Sequence, residues 1–135
     1  MTKHRYLLLI FALCLVLLPL PSMGAGSWVA DQTGPRVALA DAEVRSLPLA
    51  SPSDEAKGHH ITSVSWRFSL PDASRQRVLA RLCHPVRCVP IRDERGLTEA
   101  LAGLDADVPL AFHFRLVAVG PAVQTEGLQV IVNYR

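Results

Sequence analysis

The chain has 135 residues, half of them hydrophobic, with 14 Lys and Arg against 12 Asp and Glu. Setting aside Lys3 and Arg5 in the apolar N-terminal segment leaves 12 basic residues against 12 acidic ones, and Lys57 as the only lysine. Such a balance excludes the clustered cationic surplus with which a nucleic-acid binder displaces counterions from phosphate, and the length excludes two domains with a core each.

Residues 1–24, MTKHRYLLLIFALCLVLLPLPSMG, carry a basic start, an apolar run from Leu7 to Leu20 and a small-residue exit at Ser22 to Ala25. This pattern predicts a cleaved secretory signal peptide over residues 1–24 and a single domain over residues 25–135. A bilayer span needs about 20 apolar residues, whereas this run is shorter and meets Pro19 and Pro21, so no stable membrane anchor is expected after cleavage. Cys14 lies inside the run, which argues against a lipoprotein and leaves Cys83 and Cys88 in the exported part. An even cysteine count in an oxidising compartment points to a disulfide.

The exported part reads as all-β. Val37 and Leu39, followed by Ala42 and Val44, suggest one bulged strand or two short ones. The stretch from Ser46 to His60 is rich in Pro, Ser and charge and is expected to be a surface loop. In TSVSWRFSL, Val64, Trp66, Phe68 and Leu70 alternate with Ser63, Ser65, Arg67 and Ser69, the period-two pattern of a strand with one buried side. Leu97 to Leu104, LTEALAGL, has helix-forming residues and is expected to supply a short helical turn. Leu110, Phe112, Phe114 and Leu116 mark a further strand, with Ala111, His113 and Arg115 opposite and His113 expected as a surface imidazole. Leu128, Val130, Val132 and Tyr134 mark the last. Six to eight short antiparallel strands between Pro and Gly breaks predict a β-sandwich or small barrel, and the sandwich is preferred.

The segment RLCHPVRCV, Arg81 to Val89, has its place in that scheme. Pro85 fixes φ at about −65°, which suits the second position of a type I turn over His84, Pro85, Val86 and Arg87. Cys83 then faces Cys88 at a Cα separation that a disulfide bridges, and counting outward pairs Leu82 with Val89, Arg81 with Pro90, Ala80 with Ile91 and Leu79 with Arg92. Pro90 has no N–H to give to a further strand, so the second strand of this hairpin is expected at a sheet edge or leaving its sheet there.

The chemical alternatives are weak. A redox pair favours two thiols two residues apart at a helix start. A zinc site needs four ligands, and Cys83, His84 and Cys88 have only the distant His59 and His60 to add. No G-x-S-x-G elbow or phosphate-binding glycine loop is present, and Asp105 with Asp107 and Asp93 with Glu94 read as solvated carboxylates at the ends of strands rather than a glycosidase-like pair. The residues therefore suggest no catalytic site, no metal and no cofactor, and a binding role rather than an enzyme.

GSWVA at Gly26 to Ala30, the SWRF strand, RLCHPVRCV and above all the closing VIVNYR, Val130 to Arg135, together resemble the flagellar protein FlhE family. The resemblance implies a β-sandwich in the Gram-negative periplasm that supports flagellar assembly by binding rod or type III export components. On that reading it limits proton leak and improper secretion, or acts as a periplasmic chaperone. A sheet face or edge would do the binding. Gln129, Ile131, Asn133 and Arg135, opposite the apolar face of the last strand, are the candidate partner-binding residues. A periplasmic small-ligand or metal-binding sandwich is the alternative.

Overall fold

The computed structural model describes residues 25–135; the expected signal peptide lies outside the described residues. Ten antiparallel strands form: β1 (Gly26–Gln32), β2 (Arg36–Val37), β3 (Val44–Arg45), β4 (Ile61–Ser69), β5 (Val78–Cys83), β6 (Cys88–Ile91), β7 (Arg95–Thr98), β8 (Ala111–Leu116), β9 (Val123–Gln124) and β10 (Glu126–Tyr134). They make one four-stranded sheet ordered β1-β10-β4-β7, another ordered β3-β8-β5-β6, and a two-stranded ribbon of β2 and β9. The count exceeds six to eight because β2, β3 and β9 are only two residues long.

The period-two patterns place the core. Val64 and Phe68 of β4, all four inward residues predicted for β8, and Leu128, Val130, Val132 and Tyr134 of β10 are buried, with Trp66 half-buried against them. Phe68 joins the two sheets, meeting the rings of Phe112 and Phe114 edge-on at centroid distances of 5.9 and 5.4 Å. Edge-to-face contacts of this kind add to the stabilisation from area burial. Opposite Trp66 stands Gly96, where any Cβ would overlap the indole. The missing side chain lets the ring cross edge strand β7 and donate from Nε1 to the Asp93 carbonyl at 2.9 Å.

The cysteine hairpin forms in the expected register over Ala80 to Ile91, Arg81 to Pro90, Leu82 to Val89 and Cys83 to Cys88, but the expected Leu79 to Arg92 pair does not form, because β6 ends at Ile91. His84 and Arg87 exchange backbone hydrogen bonds of 2.8 and 3.1 Å across the turn, which leaves Cys83 and Cys88 as a close pair with Cα atoms 4.0 Å apart and disulfide-bonded. β6 is an edge strand. The absent N–H of Pro90 therefore costs no sheet hydrogen bond.

Two further expectations need correction, and one strand was not foreseen. Leu97–Leu104 forms no helix: Leu97 and Thr98 complete β7 against β4, Thr98 Oγ1 accepts from the Ala100 N–H at 3.0 Å, and turns follow. Tertiary pairing outweighs helix propensity here, because the turns bury Leu101 and Ala106 and are pinned from outside by Trp28 Nε1 on the Ala106 carbonyl at 2.9 Å. Ser46–His60 is more than a surface loop, since Ser46, Leu49 and Ala56 are buried and Leu49 exchanges backbone bonds with Leu110 at 2.8 and 2.9 Å. β1 is a further strand, with Trp28 buried and Val29 exposed.

Candidate functional site

Two sheet faces point away from the core. On the first sheet, β10 is paired on both sides, with β1 and with β4. Its backbone is therefore closed to an added strand, and its outward side chains are what a partner can reach. Three cross-strand rows follow from the register. Ser27, Asn133 and Ser63 form one polar row, tied by a 3.0 Å bond from Asn133 Nδ2 to Ser63 Oγ. Val29, Ile131, Ser65 and Leu97 form the next, with Val29 44% and Leu97 60% exposed. Asp31, Gln129, Arg67 and Arg95 form the third, in which Gln129 Nε2 donates to Asp31 Oδ1 at 2.9 Å.

Of the sequence candidates, Gln129, Ile131 and Asn133 sit at the centre of this face, one in each row. Arg135 ends the strand and is exposed, its backbone held by paired 3.0 Å bonds to His60. Alternation along β10 places them on one face; only the sheet order adds the apolar stripe from Val29 to Leu97 and the facing pair Arg67 and Arg95. These two arginines have no carboxylate within 4.0 Å among the described residues. Like charges directly opposite destabilise a sheet, so the pair is better matched by an anionic group from outside.

The outward face of the second sheet carries a different cluster. Arg45, His113 and Arg81 stand in one row across β3, β8 and β5. Glu43, just before β3, accepts from Arg81 Nη2 at 2.7 Å and lies 2.9 Å from His113 Nδ1. The Arg81 hydrogen bond holds the Glu43 carboxyl below its ordinary value of 4.5, against the opposing pull of burial and with a smaller contribution from His113. His113 is thus not the free surface imidazole expected; its side chain is only 12% exposed.

Beside this cluster lies a cleft of about 430 Å³, walled by Arg45, Pro48, the Cys83–Cys88 disulfide, Pro85, Pro109 and Ala111. His84 is buried in its wall. Its Nδ1 accepts from the Val86 N–H at 3.1 Å, so Nε2 carries the proton and donates to the Asp105 carbonyl at 3.0 Å. Both nitrogens are used structurally. Among the described residues no three of His, Cys, Asp and Glu gather as a metal site.

The class these features define is a small, disulfide-stapled antiparallel β-sandwich whose organised surfaces are sheet faces. The family model for Flagellar protein FlhE matches residues 34–135. The chain belongs to the FlhE family. It is 38% identical over 123 residues to Flagellar protein FlhE of Yersinia enterocolitica, covering 88% of each chain. It is 33% identical over 128 residues to that of Escherichia coli strain K12, covering 91% of this chain and 97% of the other. A crystal structure of FlhE superposes with a TM-score of 0.74 at 30% identity, over 84% of this chain and 99% of that one. A likeness of fold alone, with a TM-score of 0.58 at 13% identity, extends to a longer chain in the Aeromonas sobria serine protease and chaperone complex, over 91% of this chain and 29% of that one.

Proposed function

We propose that this flagellar protein is a periplasmic assembly factor that binds a rod or type III export component through the outward face of the β1-β10-β4-β7 sheet. The observation that carries the reading is membership of the flagellar family across nearly all of the described sandwich. By holding such a component the protein would keep it from assembling or leaking protons out of place, without catalysis. Exposed Val29 and Leu97, with half-buried Ile131 between them, offer apolar contact, and Arg67 with Arg95 offers two cations to an acidic side chain. Apolar contacts surrounded by arginine suit a protein partner.

The test is site-specific photocrosslinking in flagellated cells from position 97, with partners identified by mass spectrometry. Rod or export proteins are expected, and their yield should fall in Arg95→Glu protein. Recovery of only non-flagellar partners would overturn the proposal.

A further inference from the structure

The segment from Leu116 to Val123, LVAVGPAV, contains no polar side chain. Five consecutive residues in it, Val117 to Pro121, are exposed, with Val117 at 51% and Val119 at 96%. An exposed apolar run of this length is unfavourable unless something covers it. The loop is also held in place rather than left slack. The Val117 N–H donates to the Arg77 carbonyl at 2.8 Å, and Arg77 Nη2 returns to the Pro121 carbonyl at 2.5 Å. Gly120 permits that approach, since a Cβ there would stand 2.8 Å from Arg77 Nη2.

Three arginines stand at or near the ends of the loop. Arg77 lies against it, Arg36 of β2 pairs with Gln124 just beyond it, and Arg115 of β8, two residues before it, donates from Nη1 to the Ala40 carbonyl at 3.3 Å. None of the three has a carboxylate within 4.0 Å among the described residues. The carboxylates within five residues of the loop or of these arginines are Asp31, Asp41, Asp72 and Glu126, none of them inside the loop. A protruding tip of Val, Ala, Gly and Pro lacks the aromatic anchors of a protein hot spot. An exposed apolar loop with arginines at its ends matches a layer of acyl chains beneath anionic phosphates.

We propose that Val117–Pro121 is a membrane-contacting tip, inserting Val117 and Val119 shallowly into an anionic phospholipid surface while Arg36, Arg77 and Arg115 meet the phosphate headgroups. Two small side chains and three cations give contact comparable to a single acyl chain, weak and reversible. This is no anchor. The contact goes beyond the flagellar role and stands or falls separately from it, because it needs lipid and no protein partner.

Cosedimentation with vesicles of phosphatidylglycerol and phosphatidylethanolamine tests it, using protein isolated from the periplasmic fraction with its N-terminus established by mass spectrometry. Binding is expected to the anionic vesicles and not to phosphatidylcholine, and to weaken as salt screens the arginines beyond a Debye length of about 8 Å at 0.15 M. Val119→Asp should reduce it about tenfold or more, Arg36→Gln several-fold, and Val119→Trp should strengthen it. Position 119 touches no core, so melting temperatures should not move. Absence of binding, or equal binding by the wild type and Val119→Asp, would overturn the proposal. So would a Val119→Asp protein that keeps its lipid binding but loses a purified protein partner.

Discussion

Glu43 shows how a single side chain organises a face. It sits ahead of a two-residue strand, yet its Oε2 gathers an arginine from β5 and a histidine from β8. Its carboxyl has a lower pKa folded than its ordinary 4.5, so the anion is preferred by the folded state. Stability from that preference is fully present above the unfolded value and is lost as pH falls through the folded one. In Glu43→Gln protein this contribution is missing. The stability difference between wild type and Glu43→Gln should therefore be constant above about pH 5.5 and shrink as acidity increases below about pH 4.5. At neutral pH the gap should be within the roughly 0.2–1 kcal/mol of a partly exposed ion pair. Urea melts at a series of pH values measure it; a gap that widens in acid would refute the assignment.

At the scale of elements, the stapled hairpin is the most local piece of the fold. β5 and β6 are the only consecutive strands among those described that pair with each other. Bridging so short a loop stabilises by about 2 kcal/mol in the chain-entropy model. Replacing both Cys83 and Cys88 by Ser should lower the melting temperature by roughly 6–12 °C, with the far-ultraviolet spectrum unchanged because the register also rests on Ala80, Leu82 and Ile91 in the core. This hairpin was legible residue by residue from Pro85, the cysteine spacing and Pro90, since turn geometry and alternation are local signals. The inward faces of β4, β8 and β10 were legible for the same reason. β7 was not: Arg95–Thr98 is a strand because β4 offers it a partner, a long-range fact that local propensity opposes. Likewise Gln129, Ile131 and Asn133 share a face by alternation, whereas their alignment with Val29, Leu97, Arg67 and Arg95 depends on sheet order that no local pattern encodes.

The whole molecule closes around its last strand. β10 lies between β1 and β4, so the first described strand gains its only sheet neighbour when the final residues are in place. Tyr134 is 6% exposed and pairs with Gly26 and Ile61, while Arg135 ties down His60. Deleting Asn133–Arg135 therefore removes a buried aromatic worth roughly 3–5 kcal/mol from a domain whose total stability is about 5–15 kcal/mol. The truncated protein should melt well below the wild type, and any flagellar defect it shows would report lost stability before it reported lost binding. Surface substitutions separate the two. Leu97→Asp, at an exposed edge position, should stay within about 0.5 kcal/mol of the wild type. Arg95→Glu should gain a few tenths of a kcal/mol, because it turns the facing Arg67 and Arg95 pair into opposite charges. If that face docks a flagellar component, both variants should keep or raise their melting temperatures while impairing motility. A more stable Arg95→Glu protein with normal motility would show instead that the arginine pair serves no partner.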